Sequence, residues 1–223
     1  MSYEITRSRV ETYFDRTATA TWAALTSDAP VSRIRETVRA GRDAMRARLL
    51  GALPEDLSGA RVLDAGCGAG QMSAELAARG AEVVAVDLSP QLLQVAEARL
   101  PDTVRSRVRF VAGDMTAPEL GRFDHVVAMD SLIYYRAGDI DARLSGLAQR
   151  ANGSILFTVA PRTTLLMGMW YAGKLFPRGD RSPVMVPHAP GALARRLAGH
   201  GAVRDVGRVS SGFYISHALE VRP

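Results

Sequence analysis

Between Arg61 and Pro161 short β-branched, apolar runs are separated, for the most part, by amphipathic stretches of helical spacing. RVLDAG, AEVVAVD, RVRFVAGD, FDHVVAMD and GSILFTVAP have the length and composition of buried strands. QMSAELAARG, SPQLLQVAEARL and DIDARLSGLAQRA carry apolar residues at helical intervals, and Ser89 and Pro90 supply an N-cap and a first-turn proline. Parallel strands cannot be joined by a hairpin and need a crossover, so this order predicts a mostly parallel sheet with helices on both faces. After a further helix, APGALARRLAGHG, the sequence AVRDVGRVSSGFYISHALEVRP reads as two antiparallel strands on the sheet edge, making seven.

The segments around this core are less regular. From Ser32 to Leu53, Ile34, Val38, Met45, Leu49 and Leu50 recur at helical spacing, with Arg33, Arg35, Arg39, Arg42, Arg46 and Arg48 over much of the remainder. Pro54 ends that helix. The run TTLLMGMWYAGKLFP, Thr163 to Pro177, crowds Leu, Met, Trp, Tyr and Phe together without helical or strand periodicity. A core strand, a membrane contact or the wall of a pocket for a large flat ligand would each account for it. The expected organisation is one unit: residues 1–54 form a helical extension or cap, and 55–223 the main domain with a lid at about 162–187.

The formal charge of +5 invites a nucleic-acid partner, but the cations are almost all arginine, with Lys174 the single lysine. So lopsided a choice points to genomic bias over ordinary surface positions, and no nucleic-acid partner is expected. Cys67 is the chain's one cysteine, which excludes an intramolecular disulfide and fits a reducing compartment. The N-terminal MSYEITRSRVETYF has no apolar signal core, and no apolar stretch reaches the ~20 residues of a spanning helix. A cytoplasmic location is expected.

VLDAGCGAG, Val62 to Gly70, is the most informative stretch. Glycines after the first strand let backbone approach a ligand closely, and the helix that follows aims its N–H groups at the same place. Dinucleotide binders place a third glycine three residues after the second. Here that position is Gln71; the chain has Gly70 instead, with Asp64 inside the strand end. The pattern D-x-G-C-G-x-G resembles the first motif of class I S-adenosylmethionine (SAM)-dependent methyltransferases. The resemblance implies cofactor contacts from Asp64, Ala65, Gly66, Cys67, Gly68 and Gly70. It also implies that Asp87 with Leu88 serves the ribose, that Asp114 and Met115 serve the adenine, and that Asp130 stands at the end of the fourth strand. A carboxylate beside the loop suits a ligand bearing an ammonium and a sulfonium. Four acids at the carboxyl edge of one sheet are where such sheets bind ligands.

The acceptor is not fixed by the fold. MDSLIYY lacks the [DNS]-P-P-[YF] signature of base N-methyltransferases, and no second cysteine exists for covalent attack on cytosine. A flat apolar acceptor with acidic edges would engage both the aromatic and Met residues and the arginines. VETYFDRTATATW, RETVRAGRDAMRARLL, LDAGCGAGQMSAELAARGAEVVAVDLS, MDSLIYY and FTVAPRTTLLMGMWYAGKLFPRGDRSP together resemble the magnesium protoporphyrin IX O-methyltransferases over nearly the whole chain. That resemblance implies methyl transfer from SAM to one propionate of magnesium protoporphyrin IX, releasing S-adenosylhomocysteine (SAH). It further implies peripheral membrane contact and interaction with the porphyrin-binding subunit of magnesium chelatase. Other acceptors such as a quinone precursor, or a non-catalytic SAM- or RNA-binding module, are the alternatives.

A propionate has a pKa near ~4.3 and is already ionised at neutral pH, so positioning groups matter more than a general base. Family members from oxygenic phototrophs read close to IHY where this chain has Ile133, Tyr134 and Tyr135, so a histidine is replaced by Tyr134, the candidate catalytic hydrogen-bond donor. Candidate acceptor contacts are Arg39 from the arginine-rich helix and Met169, Trp170 and Tyr171 from the lid. No resident metal is expected: His125 and His217 read as structural, His200 as a helix-end cap or surface residue, and His188 as packing ahead of a ligand to the substrate's magnesium.

Overall fold

The computed structural model describes residues 3–15, 26, 32–163 and 183–223. In chain order its elements are α1 (Tyr3–Tyr13), α2 (Arg33–Leu50), β1 (Arg61–Ala65), α3 (Gln71–Ala78), β2 (Glu82–Asp87), α4 (Pro90–Arg99), β3 (Val108–Ala112), β4 (His125–Ala128), α5 (Ala137–Ala148), β5 (Ile155–Val159), α6 (Pro190–Leu197), β6 (Ala202–Ser211) and β7 (Tyr214–Arg222). The seven strands form one sheet ordered β3-β2-β1-β4-β5-β7-β6. β1 to β5 run parallel, while β7 pairs antiparallel with both β5 and β6.

The two-residue period of the strands sorts the core onto two faces. Leu63, Val84, Val126, Phe157 and Leu219 pack with Ile140 and Leu144 of α5 and Leu193 and Leu197 of α6. Val62, Val83, Val127, Leu156 and Ala218 pack on the other face with Met45 and Leu49 of α2 and Leu76 of α3. Every residue of β5 is buried, as a strand covered by helices on both sides must be.

Local chemistry sets the element ends. Ser89 caps α4, its Oγ accepting the Leu92 N–H at 3.3 Å, with Pro90 behind it. The expected helix over Ser32–Leu53 stops at Leu50, where Gly51 takes up the cap. α2 crosses the sheet at β6 and β7, and Gly41 permits that approach: a Cβ there would lie 2.5 Å from Tyr214 Cδ1. α5 begins at Ala137, two residues ahead of the sequence expectation. α1 is polar on average, and amphipathic spacing did not mark it as a helix. Among the described residues no helix is long and apolar enough to cross a membrane.

Candidate active site

A cleft of about 1040 Å³, open to solvent, lies over the carboxyl ends of β1, β2 and β4. Its floor is the turn from β1 into α3. Gly66, Gly68 and Gly70 all have left-handed φ, at 84°, 54° and 80°. At Gly66 a Cβ would meet Ser131 Cβ at 2.4 Å, and at Gly70 it would meet Ala96 Cβ at 2.9 Å, so both the conformation and the space demand glycine. The turn is tied down by β2: the Gly66 and Cys67 amides donate to the Val86 carbonyl at 2.8 and 3.0 Å.

Asp87 completes that tether. One of its oxygens accepts the Gly68 N–H at 2.8 Å and the other the Ser89 N–H at 2.9 Å. A carboxylate has about four lone-pair sites, so these two amides orient Asp87 and leave capacity for a ligand hydroxyl. Burial raises its pKa, against the pull of the Ser89, Gly68 and Leu88 amides. Asp64 is 1% exposed and accepts the Ser73 hydroxyl at 2.6 Å. Burial pushes it up to about 7; the Ser73 hydroxyl opposes this and the Asp87 charge adds to it. Burial, together with the Asp64 and Asp87 charges, also drives the Cys67 thiol well above its ordinary range, which leaves it inert as a nucleophile.

Among the sequence candidates, Asp64, Gly66, Cys67, Gly68, Asp87, Leu88, Met115, Asp130 and Tyr134 line the cleft. Ala65, Gly70, Asp114 and Arg39 do not. Met169, Trp170 and Tyr171 lie outside the described residues. The Asp114 carboxylate instead accepts the Tyr3 hydroxyl at 3.0 Å, Arg7 Nη1 at 3.2 Å, and both the N–H and hydroxyl of Thr116 at 2.7 Å. Burial raises its pKa, but those donors outweigh it and leave the group below the usual carboxylate range.

Asp130 is held by four side chains. Its carboxylate accepts Arg42 Nη1 at 2.6 Å, the Tyr214 hydroxyl at 3.0 Å, the Thr158 hydroxyl at 3.1 Å and the Ser216 hydroxyl at 3.3 Å. Its own N–H donates to Thr158 Oγ1 at 2.7 Å. Tyr134 is buried close by, edge-on to Phe14 at 6.1 Å. Burial, and then the charge of Asp130, holds its phenol protonated, so at neutral pH it is a hydrogen-bond donor.

Several cleft residues were not singled out from the sequence: Tyr3 and Val10 of the N-terminal stretch, and Ser131. Arg42 and Arg46 stand one helical turn apart on α2 and both line the cleft. The signal for them was the buried pair Met45 and Leu49, each three residues further on along the same helix face. The histidines are engaged in the fold. His188 is buried with Nε2 3.0 Å from the Tyr135 carbonyl, and His200 and His217 face Asp141 and Asp205, each at 2.8 Å. Among the described residues no group of three or more His, Cys, Asp or Glu is placed to hold a metal.

A glycine cradle under a helix start, an acid at each of the first two strand ends and a thioether at Met115 fit a nucleoside carrying a cationic amino-acid tail. With the sheet order β3-β2-β1-β4-β5-β7-β6, they define a class I SAM-dependent methyltransferase. A profile described as "Methyltransferase domain" matches residues 62–151, and one described as "Magnesium-protoporphyrin IX methyltransferase C-terminus" matches residues 128–223. The magnesium-protoporphyrin O-methyltransferase of Rhodobacter capsulatus is 58% identical, over 99% of this chain and 98% of its own. The chain belongs to the magnesium-protoporphyrin O-methyltransferase family. Its Synechocystis relative of the same name is 29% identical over 95% of this chain and 94% of its own. The crystal structure of magnesium protoporphyrin IX methyltransferase from Synechocystis PCC 6803 with bound SAH superposes at a TM-score of 0.82 with 28% identity, covering 97% of this chain and 99% of that one.

Proposed function

We propose that this chain transfers a methyl group from SAM to one propionate carboxylate of magnesium protoporphyrin IX, giving the monomethyl ester and SAH in bacteriochlorophyll biosynthesis. The observation that carries this is the 58% identity to the Rhodobacter capsulatus enzyme along essentially the whole of both chains. When bound, SAM supplies a methyl carbon on a sulfonium, whose C–S electron pair returns to sulfur as the carboxylate oxygen forms the new O–C bond.

The chain's own residues then have distinct tasks. Gly66 and Gly68 bring backbone close to the donor, with Gly70 turning the chain against Ala96 behind them, while Asp64 faces its ammonium and Asp87 its ribose hydroxyls. Met115 packs on the adenine, with Asp114 beside it. No residue need act as a base, because the propionate, with a pKa near ~4.3, arrives ionised. Tyr134, protonated at neutral pH, donates to the acceptor and orients it, and the surrounding apolar wall strips water from the carboxylate. The cap over the donor comes from residues 1–54, and the segment from about 162 to 187 covers the macrocycle with Met169, Trp170 and Tyr171. Arg39, outside the cleft lining, is the proposed partner of the acceptor's second propionate. The same reading includes contact with an anionic membrane surface and with the porphyrin-binding subunit of magnesium chelatase, which would deliver a poorly soluble substrate.

Incubation with methyl-labelled SAM and magnesium protoporphyrin IX, beside metal-free and zinc protoporphyrin and a quinone acid, tests the proposal. Label should appear in a porphyrin monomethyl ester. Label in the quinone product alone, or in none, would overturn it.

A further inference from the structure

Ser131 follows Asp130 beyond the end of β4 and lines the cleft along with Gly66 and Tyr134. Its side chain is pressed on the glycine turn: a Cβ built on Gly66 would lie 2.4 Å from Ser131 Cβ and 3.2 Å from its oxygen. That hydroxyl oxygen is closed to bulk water and has no hydrogen-bond partner among the described residues. A buried hydroxyl left in this state destabilises the fold, and native structures keep few of them.

The backbone that carries Ser131 is strained as well. Among the described residues Asp130 is the one non-glycine with positive φ, at 56°. It is fastened there by the Thr158 hydroxyl at its N–H and by Arg42, Tyr214 and Ser216 at its carboxylate. Two unfavourable features at adjacent residues bear on one wall of the cleft, where a fold retains strain for a site.

We propose that Ser131 orients the acceptor carboxylate, its Oγ donating a hydrogen bond to the oxygen that becomes the ester carbonyl. The other oxygen then presents its lone pair to the methyl carbon. This assignment rests on the function proposed above and names a second positioning donor for that reaction, beside Tyr134. Rotation about the Cα–Cβ bond between staggered rotamers re-aims the hydroxyl while Cβ stays packed on Gly66. A neutral donor suits the chemistry. The carboxylate gives up its charge as the ester forms, so a cation held against it would stabilise the ground state more than the transition state and slow the step. Arg42, on the same cleft, is drawn to Asp130 at 2.6 Å, which offsets its charge.

The test is Ser131→Ala in the full chain, which removes Oγ alone and keeps the Cβ packed on Gly66. kcat/KM for magnesium protoporphyrin IX at saturating SAM should fall about ten- to hundredfold, the range for losing a hydrogen bond to a charged group. The SAH dissociation constant should stay within about twofold, and Tm should be unchanged or higher, because the variant loses a buried hydroxyl that had no partner. A serine with a purely structural role would lower Tm instead. Unchanged kcat/KM beside an active wild type overturns the assignment alone. So does a parallel loss of SAH affinity, which would give the hydroxyl to the donor. A wild type that esterifies no porphyrin removes the proposed function first, and this assignment with it.

Discussion

Acidifying the protein from pH 8 to pH 6 should weaken SAH binding about tenfold, through Asp64. Burial at the end of β1 pushes this carboxyl up to about 7, with the Ser73 hydroxyl opposing and the Asp87 charge assisting. In the role proposed for Asp64, the ligand's ammonium would select the ionised form. A group with a pKa near 7 is about nine-tenths ionised at pH 8 and about one-tenth at pH 6, and apparent affinity falls with that fraction. Binding at pH 6 should therefore expel about 0.9 proton and at pH 8 about 0.1. The free protein should respond in the opposite sense. Asp64 binds its proton more tightly when folded than when unfolded, where its pKa is ~3.9. The stability it contributes is fully present below about pH 4 and is lost as pH rises through 7, about 1.4 kcal/mol of it between pH 6 and 8. Titration calorimetry in two buffers of different ionisation enthalpy measures the proton count, and denaturant melts at the two pH values measure the stability. Asp64→Asn should flatten both responses. A pH-independent dissociation constant, or an equal proton count in the Asn variant, would refute the reasoning.

Two further substitutions separate donor from acceptor. Gly66→Ala puts a Cβ 2.4 Å from Ser131 Cβ at a φ of 84°, so SAH binding by calorimetry should be lost and Tm lowered; a variant that still binds SAH normally would mean that the turn relaxes at little cost. Tyr134→Phe keeps the buried ring and removes the donor, so kcat/KM for the porphyrin should fall about tenfold with SAH affinity unchanged. Full activity in that variant would exclude the phenol from positioning.

The strands and the glycine turn were legible because each is a local pattern. Apolar content over five residues, a proline behind Ser89 and glycines where φ is positive are imposed by backbone sterics before any tertiary contact exists. α1 was not, since Tyr3 and Val10 are its only buried residues and its mean character is polar. What holds it is remote: the Tyr3 ring stacks on Tyr135 at 4.9 Å, and its hydroxyl reaches Asp114, 111 positions away. That Arg42 lines the cleft and Arg39 does not was hidden for a related reason. Arg39 and Arg42 lie on one stripe of the helix, and only the docking of that helix over β6 and β7 brings Arg42 to Asp130. The strain at Asp130 has no sequence signature, since aspartate at a strand end reads first as a turn former.

The placing of β7 has a consequence for synthesis of the chain. Among the described residues β6 pairs with no strand except β7, and β7 is what separates it from β5. Until Tyr214–Arg222 leaves the ribosome, β5, every residue of which is buried in the finished fold, stands as an exposed border with the amides and carbonyls of its outer edge unmatched, and β6 lacks the strand it pairs with. Such a border recruits other nascent chains. Premature termination between Val159 and Tyr214 should therefore yield aggregates rather than a shortened enzyme, however complete the five parallel strands already are.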